Sequence, residues 1–326
     1  MKAISLFSGG LDSQVAVCVL KEQGIEVIGM NFVTPFFGAS ERTRQAALDL
    51  GIEFHFIDIG PDYMNVLKNP VYGYGKNMNP CIDCHGYMLK QAGKYLQEFG
   101  ASFIISGEVL GQRPMSQNKS ALNAVNKLSG LQGLVLRPLS AKLLLPTIPE
   151  TEGWVDRSRL LDISGRSRNR QMQLAEYYGI KDYPSPAGGC LLTQENFSQR
   201  LRRLLAIKPE ANAHDTEILK TGRHLYLTEN QLLVIGRNHD ENLRLQELTD
   251  ERDYLIKVVD RPGPLGLLRP FGRDDSPQLE LAARIVARYS DAKQEISANM
   301  KIFKIKGDEQ ALQVAPMPAE EVPELV

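Results

Sequence analysis

The run Leu6-Phe7-Ser8-Gly9-Gly10-Leu11-Asp12-Ser13 does most to limit what this chain can fold into. An apolar segment, Lys2 to Phe7, precedes it and reads as a strand. Gln14 to Leu20 follows and reads as the buried face of a helix. A strand, a glycine turn and a helix in succession bring unpaired backbone N–H groups and the positive end of a helix dipole to one point. Such a point attracts phosphate. Gly9 and Gly10 leave the approach clear, Ser8 and Ser13 add hydroxyl donors, and Asp12 places a carboxylate where it can orient a phosphate or its metal. The run is neither a Walker loop, for it lacks the lysine, nor G-x-G-x-x-G.

The segments that follow keep alternating. Strands are expected over 25–33, 52–59, 101–106 and 134–136, with helices over 40–51, 84–99 and 118–128. That alternation predicts an α/β fold, a parallel sheet with helices on both faces, whose ligands sit beyond the carboxyl ends of the strands. Met30, Asn31 and Phe32 and the pair Gly107–Glu108 fall at such ends. A Pro-rich exit over 138–149 closes a first domain at about residue 150. A helical segment (151–212), an α+β module (213–316) and a mobile tail (317–326) are expected beyond it. Strands there are read around 232–235, 254–260, 300–305 and 311–314, and a helix over 277–289.

Cys81-x-x-Cys84 and the distant Cys190 form the second chemical feature. Cys84 opens a helix, where the dipole favours thiolate. Cys190 ends the stretch Pro184-Ser185-Pro186-Ala187-Gly188-Gly189, which reads as a shaped loop. Three thiols suit three corners of a [4Fe–4S] cube with one iron left open. Alternatively, Cys190 carries a persulfide that Cys81 or Cys84 resolves. A structural zinc lacks a fourth ligand, since His85 follows Cys84 too closely. Cys18, among valines on the first helix, reads as core.

The 326 residues carry a net charge of −1, so nucleic-acid contact must come from local patches. Arginines gather at Arg157, Arg159, Arg166, Arg168 and Arg170, and again at Arg200, Arg202 and Arg203. Arg166, Arg168, Arg170, Arg202 and Arg203 are the RNA-contact candidates. Four cysteines make no disulfide scaffold, and neither a signal peptide nor a membrane span is read. A cytoplasmic setting without membrane partners is expected.

Ser8 to Ser13 matches S-G-G-x-D-S and resembles the pyrophosphate loop of the N-type ATP pyrophosphatases. Joined to the cysteines, residues 1 to about 205 resemble tRNA thiouridine synthases. Asn79-Pro80-Cys81 with Cys84 and Cys190 is similar to the 2-thiouridylase group. Gly107-Glu108-x-x-Gly111-Gln112 with Ser116-Gln117 is similar to the 4-thiouridine synthase group. Val234-Ile235-Gly236-Arg237-Asn238, Glu241-Asn242, Leu245 and Asp260-x-Pro262-Gly263 resemble the NFACT-type RNA-binding domain.

The resemblance implies a Rossmann-like adenine-nucleotide α-hydrolase fold and an ATP-dependent tRNA sulfurtransferase. ATP contacts would fall on Ser8, Gly9, Gly10, Leu11, Asp12, Ser13, Met30, Asn31, Phe32, Gly107 and Glu108, with Mg²⁺ accompanying the phosphates. Asp12, Cys81 and Cys190 would be catalytic, and Cys81, Cys84 and Cys190 would ligate the cluster if one is used. The implied partners are tRNA and a sulfur donor: a cysteine desulfurase, a sulfur carrier or free sulfide. A homodimer is left open. So are an amidating ligase, a desulfidase and a non-catalytic RNA-binding protein on the same scaffold.

Overall fold

The computed structural model describes residues 1–185, 189–272, 276–307 and 309–326. The chain divides into two compact units, Met1–Gln194 and Glu195–Val326.

The first unit is a parallel sheet ordered β3-β2-β1-β4-β5. Its strands are β1 (Lys2–Leu6), β2 (Glu26–Val33), β3 (Glu53–Asp58), β4 (Phe103–Ser106) and β5 (Val135–Leu136). Between and after them run α1 (Leu11–Lys21), α2 (Glu41–Asp49), α3 (Gly60–Lys68), α4 (Cys81–Lys94), α5 (Lys119–Ser129), α6 (Ile148–Thr151) and α7 (Asn169–Tyr177). Ala3, Ile4, Ile28, Met30, Ile104 and Ile105 are fully buried, as strands covered on both faces require. The order turns back between β1 and β4, and the crevice at that reversal is where doubly wound sheets hold ligands.

Three helices are set by local chemistry. Ser40 caps α2 by accepting from Thr43 N, and Asn118 caps α5 by accepting from Ala121 N. Pro61 stands in the first turn of α3, where its missing N–H costs nothing. Gly60-Pro61 does not stand out as a helix start, and α3 is absent from the pattern read above. Cys18 is only half-buried on α1 rather than a core residue, because it sits on the flank of the apolar stripe Leu11, Val15, Val19.

The second unit opens with α8 (Glu195–Ile207) and α9 (Ala213–Glu217). It then builds an antiparallel sheet ordered β11-β10-β8-β9-β7-β6. The strands are β6 (Arg223–Thr228), β7 (Gln231–Ile235), β8 (Tyr254–Val258), β9 (Gly266–Pro270), β10 (Ala298–Phe303) and β11 (Glu309–Val314). α10 (His239–Glu247) lies between β7 and β8 in the chain, and α11 (Leu279–Arg288) between β9 and β10. Ala282, Ala283, Ile285 and Val286 of α11 pack with Ile256, Leu268, Met300 and Ile302 of the sheet in a core of this unit's own.

Two expected boundaries move. The segment 151–212 is no unit: Ala175 on α7 joins the core of the first unit, while α8 opens the second. Residues 317–326, expected as a mobile tail, are tied to the second unit. Met317 is 5% exposed and its N–H donates to Arg284 O at 3.1 Å, and Val326 N donates to His224 O at 3.0 Å.

Candidate functional site

The loop after β1 is built to stay open. Gly9 has φ +70°, and a Cβ there would lie 3.0 Å from Thr43 Cα, so glycine is needed on both counts. Thr43 Oγ1 donates to Ser8 O at 3.3 Å and ties the loop to α2. Gln14 Nε2 donates to Gly9 O at 2.8 Å from beneath. Ser13 Oγ donates to Gly10 O at 2.8 Å and stands 3.3 Å from Ser8 Oγ. No side chain caps α1, so the N–H groups of its first turn have no side-chain acceptor. That leaves the helix dipole to an incoming anion.

Gly107, expected among the ATP contacts, has a packing part as well. A Cβ on it would come within 2.7 Å of Ser13 N and 2.8 Å of Asp12 C. The end of β4 thus seats directly against the start of α1, and only glycine permits that approach.

Glu108, expected at the nucleotide, is 5% exposed and engaged by three partners. His85 Nδ1 lies 2.8 Å from Oε1, Ser106 Oγ donates to Oε2 at 3.1 Å, and Arg137 Nε donates to Oε2 at 2.9 Å. Burial alone would raise its pKa, but the Arg137 guanidinium and His85 outweigh burial and bring it down to about 2. Glu108 braces the site, joining α4, β4 and the segment after β5 through His85, Ser106 and Arg137.

Asp12 accepts from Gln112 Nε2 at 2.9 Å through Oδ2, and its Oδ1 is buried without a partner among the described residues. Gln112 is held in turn by Gln171 of α7, whose Nε2 stands 3.4 Å from Gln112 Oε1. At the end of β2, Met30 and Phe32 are core side chains, 0% and 3% exposed. Asn31 donates through Nδ2 to Phe7 O at 2.9 Å, and its Oδ1 is buried and unpartnered among the described residues.

Cys81, Cys84 and Cys190 line one cavity of about 130 Å³, together with Tyr63, His85 and Arg113. The C-x-x-C pair opens α4, and Asp83 between the two thiols accepts from Val71 N and Tyr72 N at 2.7 and 3.0 Å. Asn79 Nδ2 donates to Cys81 Sγ at 3.1 Å. Cys190 is brought in by its neighbour: Leu191 N donates to Phe36 O at 3.0 Å. The rest of the expected loop, Pro186 to Gly188, lies outside the described residues.

Burial raises the Cys190 thiol to about 11, against the Leu192 backbone N–H, which lowers it. Burial raises Cys84 further, the Tyr63 hydroxyl opposing. Among the described residues no three histidine, cysteine or carboxylate side chains close on a single ion. The thiols surround a space instead, a donor set of three that suits a cluster better than a tetrahedral zinc.

The loop and the cavity are joined through one segment. Gly107 seats the loop, Glu108 holds His85 beside Cys84, Gln112 holds Asp12, and Arg113 lines the cysteine cavity. Gln112 and Tyr63 were not among the expected site residues. Gln112 stood only in a family motif, and Tyr63 lies on the unread helix α3.

The arginines separate by role. Arg157 pairs with Glu150 and donates to Leu144 O, and Arg159 donates to Glu22 O. Arg200 donates to Val326 O and Leu219 O at 2.7 and 3.2 Å. These three are braces. Of the five candidates, Arg170 pairs with Asp162 at 2.6 Å and Arg203 stacks 3.7 Å from the Tyr226 ring centre. Arg168 is half-buried, with Nε unpartnered among the described residues. Arg166 and Arg202 are exposed and make no ion pair among the described residues.

Residues 1–142 match the sequence profile of the family described as thiamine biosynthesis protein (ThiI). Residues 222–325 match the NFACT protein RNA binding domain. The chain is 36% identical to the tRNA-specific 2-thiouridylase MnmA of Pelobacter propionicus over 33% of this chain and 33% of that protein. It is 30% identical to a probable tRNA sulfurtransferase of Thermococcus kodakarensis over 42% and 36%. It thus spans about a third of the length of these curated relatives. A solved structure of a 4-thiouridine synthetase–RNA complex with bound ATP aligns at TM-score 0.38 and 21% identity, over 67% of this chain and 52% of that one. A superposition that loose carries no functional weight. No described helix is long and apolar enough to cross a membrane.

Proposed function

We propose that this chain uses ATP to activate a uridine carbonyl of tRNA and replaces its oxygen by sulfur. The observation behind the reading is the segment 107–113, which touches both the phosphate loop and the three-thiol cavity. An amidating ligase would use the loop but leaves three clustered thiols without a task.

In this reading the open first turn of α1 and the Ser8 and Ser13 hydroxyls hold the β and γ phosphates. Asp12 would hold Mg²⁺, and its unpartnered Oδ1 fits a hard cation. Asn31 Oδ1 offers an acceptor to the adenine amine. The uridine oxygen attacks the α-phosphate, the α–β bond breaks, and pyrophosphate leaves. The loop N–H groups stabilise the charge that develops. Sulfur at the cavity then attacks the activated carbon, the carbon–oxygen bond breaks, and AMP leaves with the former uridine oxygen.

With a Cys190 persulfide as nucleophile, Cys81 attacks Cys190 to release the thiouridine. The pair is left as a disulfide, and a thiol reductant restores it. Cys81, Cys84 and Cys190 are also the residues that would hold a [4Fe–4S] cluster, which when bound would supply an open iron for sulfide. The second unit, through its match to an RNA-binding domain, supplies the tRNA contact. The setting is cytoplasmic, where free thiols persist.

The test incubates the full chain with tRNA, ATP and a sulfur source, reading pyrophosphate release and thiouridine on a mercury-affinity gel. Cys190→Ala should abolish thiouridine and leave ATP binding intact. Thiolation retained in that variant would sink the reading. Iron and sulfide analysis after anaerobic purification separates the two sulfur routes.

A further inference from the structure

The Tyr63 hydroxyl takes no part in the steps above, yet it lies on the cysteine cavity. Its side chain is fully buried and held by aromatic contacts: Phe37 at 5.5 Å, Phe36 at 6.0 Å and Tyr87 at 6.4 Å between ring centres. The hydroxyl faces the Cys84 thiol, a weak acceptor, and no oxygen or nitrogen among the described residues accepts from it. A buried hydroxyl without a partner weakens a fold, and phenylalanine in its place would carry no such cost. The chain therefore keeps a buried donor to which its own packing offers only the weak acceptor of a thiol. Other groups at the cavity are donors as well. Asn79 gives its amide to Cys81, and Arg113 brings a guanidinium to the lining.

We propose that Tyr63 is a positioning residue whose hydroxyl donates to a sulfur anion held among Cys81, Cys84 and Cys190. The anion is a hydrosulfide or the terminal sulfur of a Cys190 persulfide. The inference rests on the cavity being the sulfur site of the proposed reaction. Both forms present the same chemistry, an anionic sulfur that accepts a charge-assisted hydrogen bond. The volume, about 130 Å³, admits one such atom with room to spare, since a water takes about 30 Å³.

The experiment compares the full chain with Tyr63→Phe, both purified anaerobically and loaded over a range of sodium sulfide for the hydrosulfide form, or of sodium tetrasulfide, whose sulfane sulfur passes to the Cys190 thiolate and leaves trisulfide, for the persulfide form. Retained sulfur is measured after desalting. Acid release reports hydrosulfide, and cyanide converts persulfide sulfur to thiocyanate. The variant should need roughly tenfold to a hundredfold more sulfide for half retention, the worth of one hydrogen bond to a charged group. Its thermal midpoint should stay level or rise, and ATP should shift that midpoint as in the parent.

Equal retention in the two proteins overturns the proposal, and so does a parent that retains no sulfur. A variant that fails to fold overturns it too, because the hydroxyl would then be structural. A parent that retains sulfur with Tyr63 yet never thiolates RNA would sink the reaction and leave this inference standing.

Discussion

At the scale of single residues, the site rests on groups that touch no reactant. Glu108 is the clearest. Its carboxyl lies at about 2 in the folded chain, held there against burial by Arg137 and His85, and near 4.3 in an unfolded one. A folded value below the unfolded one adds stability that is complete above about pH 4.3 and is lost as pH falls toward about 2. The thermal midpoint should therefore drop between about pH 5 and pH 2. In Glu108→Gln the drop should be smaller, starting from a midpoint already lowered at neutral pH. Arg137 would lose its partner while buried, which costs about 3–5 kcal/mol. Parallel midpoint-against-pH curves would refute the brace.

The turn between β1 and α1 was legible in sequence because a tight turn before a helix makes local demands on residue type. Gly107 and Glu108 were singled out as ATP contacts, but their packing and bracing roles were not read. What they meet, the α1 backbone and Arg137, lies far off in the chain. For the arginines, sequence cannot tell Arg200, which braces two carbonyls, from Arg202, which is exposed.

Among the elements, α4 matters most, because Cys81, Cys84 and His85 all ride on its first turns. Two of its glycines make close contacts, Gly86 with α5 and Gly93 with the segment just after α5. A Cβ on Gly86 would lie 2.6 Å from Leu128 Cβ, near the backbone of α5. A Cβ on Gly93 would lie 3.0 Å from Leu131 Cδ1, the far end of a flexible side chain. Alanine gains up to about 1 kcal/mol of helix propensity in either place. Overpacking against a rigid neighbour costs about 1–3 kcal/mol. Gly86→Ala should therefore lower the thermal midpoint and alter alkylation of Cys84, while Gly93→Ala should leave both near the parent values. Matching midpoints in the two variants would contradict this account of the α4–α5 contact. β2, β4 and β5 could be read because each is a largely apolar run, while β9 (Gly266–Pro270) is short and bounded by glycine and proline and was passed over.

For the whole molecule, the proposed labour is divided between a nucleotide unit and a unit that matches an RNA-binding domain. If the full chain holds tRNA through phosphate contacts, its affinity falls steeply with salt. Arg202→Gln should weaken binding to unrelated RNA sequences about equally and reduce the salt slope by about 1. Arg200→Gln should instead lower the thermal midpoint, because it frees the Leu219 and Val326 carbonyls. An unchanged salt slope in Arg202→Gln would remove that residue from the interface.

The order of the parallel sheet also imposes a schedule during synthesis. β1 meets β2 as soon as some thirty residues exist, Lys2 pairing with Glu26. Its other neighbour is β4, where Ala3 pairs with Phe103. At about 5–20 residues per second, that strand arrives some 5–20 s after the first. Until then the loop has its helix but not the glycine that seats against it. If the loop holds ATP as proposed, a growing chain carries the sequence of a nucleotide site for many seconds before it owns one, and ATP could begin to stabilise the nascent protein only once β4 has been laid down.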